Sequence, residues 1–112
     1  MTAEQTTQIV QTLLEDKKAR DVEVMNVEGK TILADRFIIA TGTSVTHIKA
    51  LADDVEFTLK DQHQRMPDHV EGYSTGRWIL MDYGDVIVHI LHQDEREFYS
   101  LEKLWQERRR TS

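Results

Sequence analysis

The sequence contains no cysteine and only one proline among its 112 residues. Without cysteine the chain forms no disulfide and offers no thiolate for catalysis or zinc binding. Its 39% apolar and 30% charged residues are typical of a folded domain rather than of a disordered segment. A chain of this length fits one domain, which we expect to cover residues 1–112.

Long apolar runs and an excess of basic residues are also missing. No run approaches the roughly 20 apolar residues of a membrane-spanning helix, and the first residues lack the basic and apolar regions of a signal peptide. We therefore expect a cytoplasmic protein without a membrane partner. The formal net charge of −6 disfavours direct nucleic-acid binding and favours a basic protein partner.

The sequence is organised around residues 76–91, where two apolar runs flank residues 82–85, Asp-Tyr-Gly-Asp. Gly84 supplies the positive φ of a tight turn, so the pattern predicts an antiparallel hairpin. Both faces of this hairpin are apolar, so both need a cover. One face would carry Trp78, Leu80, Ile87 and Leu91, and the other Ile79, Met81, Val86, Val88 and Ile90. We expect the chain's own helices to cover one face and a partner to reach the other.

The periodicity of the remaining apolar residues predicts a small mixed β-sheet with helices packed mainly on one side, an α/β fold. A final apolar stripe, Leu101, Leu104 and Trp105, is expected to pack on the sheet. The predicted elements are a helix over 3–18, strands over 21–27 and 37–41, a helix from the 41–44 turn to about 62, a short strand over 70–73 and a helical turn over 93–100.

Two motifs allow both a functional and a structural interpretation. The turn Thr41–Ser44 between a strand and a helix resembles a phosphate-binding turn, but Thr43 or Ser44 also fits a helix cap, which we favour because no Gly-Lys-Ser/Thr follows. Asp82 and Asp85 could hold Mg²⁺, but aspartate is also a common turn residue and suits a contact with a basic partner, and we favour these interpretations.

Metal and nucleophile sites are not indicated elsewhere. His89 and His92 are three residues apart, which on a strand directs them to opposite faces, and no serine lies in a nucleophile-elbow context. We predict no metal and no cofactor. Trp78 remains open from physical reasoning alone, since a tryptophan there suits either a core or an interface rich in aromatic residues, methionine and arginine.

Four blocks of the sequence resemble the ribosomal silencing factor family, also called Iojap-like. They are 21–29 (Asp-Val-Glu-Val-Met-Asn-Val-Glu-Gly), 35–44 (Asp-Arg-Phe-Ile-Ile-Ala-Thr-Gly-Thr-Ser), 78–89 (Trp-x-x-x-Asp-Tyr-Gly-Asp-Val-Ile-Val-His) and 96–105 (Arg-Glu-Phe-Tyr-Ser-Leu-Glu-Lys-Leu-Trp). The resemblance extends from about Ile9 to Trp105.

The resemblance implies a non-enzymatic binder of the large ribosomal subunit. Such a protein docks on the fourteenth large-subunit ribosomal protein, uL14, blocks association with the small subunit and represses translation when nutrients are scarce. The implied fold is similar to that of nucleotidyltransferases without their catalytic carboxylates, so a nucleotidyltransferase-like enzyme or a nucleotide sensor is the alternative. The exposed apolar face would also allow the free protein to form a homodimer. The expected partner-binding residues are Trp78, Leu80, Met81, Asp82, Tyr83, Asp85, His89 and Tyr99.

Overall fold

The computed structural model describes the backbone of residues 1–99 and the side chains of residues 1–97. Its elements confirm the predicted series, with bounds that differ by at most two residues. They are α1 (Ala3–Asp16), β1 (Arg20–Asn26), β2 (Arg36–Gly42), α2 (Val45–His63), β3 (His69–Glu71), β4 (Trp78–Asp82), β5 (Val86–His92) and α3 (Gln93–Tyr99). The apolar stripe at Leu101, Leu104 and Trp105 lies outside the described residues.

The five strands form one mixed sheet in the order β1-β2-β5-β4-β3. β2 and β5 run parallel at its centre, and the other neighbouring pairs are antiparallel. A parallel pair needs a crossover, and the chain from β2 to β5 provides it through α2 and the β3–β4 segment. The predicted α/β class is confirmed.

Helices α1 and α2 cover the first face of the sheet. A capping box begins α1, in which Thr2 and Gln5 exchange side-chain and backbone hydrogen bonds. Ser44 caps α2, because its hydroxyl accepts from the His47 amide at 3.0 Å. The apolar stripes of both helices meet one set of strand residues. The buried core comprises Val10, Leu14, Ile38, Ala40, Ile48, Leu51, Ala52, Val55, Leu59, Ile79, Met81, Tyr83, Val86, Val88 and Ile90.

The hairpin predicted at residues 76–91 is present as β4 and β5. The Tyr83 amide donates to the Val86 carbonyl at 2.9 Å, and Gly84 adopts φ 89°, so the turn is closed as expected. This register places Trp78 opposite Leu91 and Ile79 opposite Ile90. The two predicted apolar faces of the hairpin are therefore confirmed.

Other segments lie against the second face of the sheet, the face away from α1 and α2. Helix α3 contacts β2 and β5, and the Arg96 guanidinium donates to the Thr41 hydroxyl at 2.9 Å. From the β1–β2 loop, Val27 and Ala34 pack with Phe37 in a smaller buried cluster. Over residues 1–99, no helix has the length and apolar character needed to cross a membrane.

Candidate functional site

The second face has an apolar centre between two acidic edges. Directly paired residues on neighbouring strands point to the same face, so one residue from each strand forms a row across the sheet. From β1 to β3 this row consists of Glu23, Ile39, His89, Leu80 and Glu71. Both glutamates are exposed, whereas Ile39 is fully buried. The face thus presents carboxylates at its edges and apolar groups between them.

The centre of this face is covered, whereas its β4 side is accessible. The central residues of β2 and β5 are buried, with Phe37 at 6% and Ile87 at 7% exposure. By contrast, Trp78, Leu80 and Asp82 on β4 are half-buried. The expectation that this face lies bare is therefore corrected, since α3 and the β1–β2 loop lie against part of it. On the β4 side we define an accessible surface, the β4 patch, which consists of Trp78, Leu80, Asp82 and Glu71.

Trp78 is held on the β4 patch by a neighbour from the next strand. Its indole Nε1–H donates to Nδ1 of His89 at 3.1 Å, and the two ring centroids lie 6.0 Å apart. On its other side, His89 meets the Phe37 ring edge-on, with centroids at 5.3 Å. The sequence placed Trp78 and His89 among the binding residues, and the structure brings their side chains together.

The protonation state of His89 follows from this contact. Indole is only a donor, so Nδ1 of His89 accepts and the proton of the neutral ring sits on Nε2. Burial lowers the pKa of His89 to about 4, so the ring is neutral at physiological pH. Within the described part of the chain Nε2 is buried and has no hydrogen-bond partner. An unsatisfied buried donor of this kind costs about 1–3 kcal/mol.

The two turn aspartates are engaged within the chain. Asp82 Oδ1 accepts from the Gly84 amide at 2.7 Å, which closes the turn. Asp85 forms an ion pair with Arg65, whose guanidinium also donates to the Tyr83 carbonyl at 2.7 Å. Asp85, whose side chain is 32% exposed, thus already has a cation within the chain, and its contact with a basic partner stays a prediction. Asp82 remains half-buried at the margin of the β4 patch.

Two predicted binding residues lie on the first face of the sheet. Met81 and Tyr83 are 1% and 4% exposed and belong to the core beneath α1 and α2. Side chains alternate along a strand, so these two point away from Trp78 and Leu80. Their assignment to a partner interface is corrected: they support the β4 patch from behind. Tyr99 ends α3, and its side chain lies outside the described residues.

The Tyr83 hydroxyl is buried without a hydrogen-bond partner among residues 1–97, and burial raises its pKa. Replacing Tyr83 by phenylalanine is therefore expected to raise the free energy of unfolding by about 1 kcal/mol, because the buried polar group is removed at little loss of packing. Urea unfolding measures this change. Tyr73→Phe is the control, since the Tyr73 hydroxyl donates to Asp53 at 3.1 Å and its loss should not stabilise. A less stable Tyr83→Phe variant would show that the hydroxyl has a partner.

The Thr41–Ser44 turn is a helix cap, as the favoured interpretation predicts. Besides the Ser44 cap, the Thr43 amide donates to Nδ1 of His47 at 3.0 Å, and Nε2 of His47 lies 3.0 Å from the Lys17 carbonyl. His47 thereby joins the end of α1 to the start of α2. The Thr43 and His47 amides of this turn are thus already hydrogen-bonded within the chain.

No group of three or more metal-ligating side chains is assembled within the described residues. His89 is buried on the second face, while its neighbours along β5, Val88 and Ile90, lie in the core of the first face. His92, three residues from His89, therefore falls on the opposite side of the strand from it.

Sequence reasoning missed two features around the site. Arg65 lies in a polar loop, and nothing in the local pattern indicates its contacts with residues far along the chain. Ile32 and Leu33, at 103% and 64% exposure, protrude from the β1–β2 loop. The sequence does indicate these two residues, because two consecutive apolar residues are unusual in a polar turn.

The fold and this surface define a small mixed α/β domain with an aromatic-centred patch on one face of its sheet. Residues 1–112 match the family model described as ribosomal silencing factor during starvation. The chain belongs to the ribosomal silencing factor family.

Individual relatives agree with this assignment. The chain is 38% identical over 105 residues to the ribosomal silencing factor RsfS of Halalkalibacterium halodurans, covering 94% of this chain and 89% of that protein. It is 34% identical over 95 residues to a mouse protein named mitochondrial assembly of ribosomal large subunit protein 1, covering 83% of this chain and 42% of that protein. A crystal structure of a Chromobacterium violaceum protein superimposes with a TM-score of 0.90 at 35% identity, covering 95% of this chain and 88% of that one.

Proposed function

We propose that this protein binds the large ribosomal subunit through ribosomal protein uL14 and blocks association with the small subunit. The observation that carries the proposal is the β4 patch, where Trp78 is held half-buried by His89 beside Leu80. Interfaces concentrate their binding energy in aromatic anchors of this kind. The family assignment supports a ribosomal partner, and the name of the mouse relative refers to the large ribosomal subunit.

The charges around the patch suit a basic partner. The chain carries a formal net charge of −6, and Glu71 and Asp82 lie beside the apolar centre of the patch. Ribosomal proteins are basic, so charges of opposite sign would meet at the rim of the interface. Such pairs mainly accelerate association and fix orientation, while the apolar centre supplies affinity.

The mechanism we infer is steric and involves no chemical step. A protein that covers about 800 Å² of the subunit surface, a standard interface for one partner, excludes another large particle from the same place. Translation would then be repressed in the cytoplasm while the factor remains bound, as under nutrient limitation. The family relatives are named as silencing factors, in agreement with a regulatory rather than an enzymatic role.

Sedimentation with purified ribosomal particles tests this proposal. We expect the protein to co-migrate with free large subunits, and much less with small subunits or intact ribosomes, whose joining surface is occupied. Adding the protein before the two subunits are mixed should lower the yield of joined ribosomes, and adding it after joining should have little effect. Equal binding to small subunits, or undiminished joining, would contradict the proposal. Free protein sedimented alone reports whether it forms a homodimer, and Trp78→Ala sedimented beside it reports whether the β4 patch is needed for that dimer.

A further inference from the structure

His89 lies at the centre of the second face with one ring nitrogen engaged and the other unpaired. The Trp78 indole occupies Nδ1 at 3.1 Å, and this donor forces the ring proton onto Nε2. His89 is 7% exposed, and its Nε2 has no hydrogen-bond partner within residues 1–97. Buried donors are nearly always paired, so a donor left over on a candidate docking face requires an explanation.

We propose that the Nε2–H of His89 donates a hydrogen bond to the docking partner. The acceptor is an uncharged main-chain carbonyl oxygen of the bound ribosomal protein. This inference rests on the proposed function and specifies the chemistry of the contact. His89 then has two roles in binding: Nδ1 positions the Trp78 anchor, and Nε2 contacts the partner directly.

The apolar side chains around His89 favour an uncharged acceptor for its Nε2–H. The Phe37 ring lies edge-on at 5.3 Å, and Ile39 and Leu80 flank His89 on the neighbouring strands. A carboxylate or an RNA phosphate would lose its hydration among these apolar groups, at a cost that one neutral hydrogen bond does not recover. Glu23 and Glu71 at the ends of the same row would also repel an anion. A main-chain carbonyl carries no charge, so it neither loses the hydration of an ion nor is repelled by the two glutamates.

Access to Nε2 requires a side chain to move. Leu80 lies directly opposite His89 on β4 and is half-buried, so it faces the accessible side of the sheet. Rotation of Leu80 would open a path from the β4 patch to the imidazole. In the free protein the donor stays shielded from water, since His89 is 7% exposed and its Nε2 is buried.

Two substitutions of His89 separate its two nitrogens. His89→Asn retains an acceptor near the position of Nδ1 and lacks the donor at Nε2, whereas His89→Gln retains a donor near Nε2 and lacks the acceptor for Trp78. For binding to isolated uL14 we expect His89→Asn to lose about tenfold in affinity while the indole N–H resonance of Trp78 stays in place. His89→Gln should keep most of the contribution from Nε2 and shift that indole resonance.

Nuclear magnetic resonance of the wild-type protein provides the decisive measurement, independent of how well the variants fold. The His89 Nε2–H resonance should move downfield when uL14 is added and stay unchanged when ribosomal RNA fragments are added. An unshifted resonance in a saturated uL14 complex would overturn the inference, as would wild-type affinity in His89→Asn. Absence of wild-type binding to both uL14 and the large subunit would instead refute the proposed function. The two failures are therefore distinguishable.

Discussion

Replacing Arg65 by alanine is expected to lower the free energy of unfolding by about 2–3 kcal/mol. The guanidinium joins its own loop to two other parts of the chain. It donates to the Thr6 hydroxyl on α1 and to two groups of the hairpin turn, the Tyr83 carbonyl and the Asp85 carboxylate. It also lies 5.7 Å from the centroid of the Tyr83 ring. Its removal leaves the Asp85 carboxylate, 32% exposed, without its cation. Losing one member of a fully buried pair costs about 3–5 kcal/mol, and partial exposure reduces that figure.

Urea unfolding of Arg65→Ala measures this loss of stability. Two further variants test whether it comes from the position and geometry of this guanidinium. Arg65→Lys keeps the charge but not the geometry that reaches three acceptors, so we expect it to recover only part of the stability. Arg77→Ala is the matched control, because Arg77 is 46% exposed and its pairs with Asp94 and Glu95 lie at the surface. Its loss should change the unfolding free energy much less than the loss of Arg65 does, because solvent screens surface ion pairs. Equal losses in Arg65→Ala and Arg77→Ala would contradict a special role for Arg65.

Local patterns in the sequence determine most of the fold. The helices could be predicted because their apolar residues recur at three- and four-residue intervals, and the Ser44 cap because a hydroxyl residue precedes such a pattern. Gly84 and the apolar runs beside it were sufficient to predict the hairpin. Its register, with Tyr83 paired to Val86, then follows from the length of the turn.

Which residues of the hairpin meet a partner could not be predicted in the same way. When both faces of a strand are apolar, alternation separates the residues into two sets without showing which set lies beneath the helices. Met81 and Tyr83 were included among the binding residues because they belong to a motif, yet they lie in the core. Motif membership identifies the segment, and burial decides which of its side chains are available.

The other features that could not be predicted from the sequence depend on contacts between residues far apart in the chain. Arg65 lies in a loop and contacts α1 and the hairpin turn, and no periodic pattern in the sequence indicates such contacts. The contact between Trp78 and His89 is a diagonal pair on neighbouring strands, so it can be read only once the register is known. The partial cover of the second face likewise depends on where Val27 and Ala34 pack, which no local rule specifies.

Replacing Trp78 by alanine is expected to weaken binding to the large subunit, or to isolated uL14, by roughly thirtyfold or more. Aromatic anchors at the centre of an interface typically contribute about 2 kcal/mol or more on truncation, which corresponds to that change in affinity. Trp78 is half-buried, so the variant should lose much less than the roughly 3–5 kcal/mol of stability that a fully buried tryptophan contributes. Binding and unfolding are therefore measured on the same preparation, by titration and by urea denaturation.

Two controls test whether the loss is specific to the β4 patch. Phe57→Ala removes another aromatic ring, 65% exposed on α2 and away from the second face, and should leave affinity unchanged. Trp78→Phe keeps an aromatic anchor without the indole donor, so its affinity should lie between those of the wild type and Trp78→Ala. If Trp78→Ala unfolds or aggregates, Trp78 is a core residue and the docking surface lies elsewhere. If it folds normally and binds like the wild type, the β4 patch is not the docking surface, because its largest accessible apolar side chain would then contribute nothing.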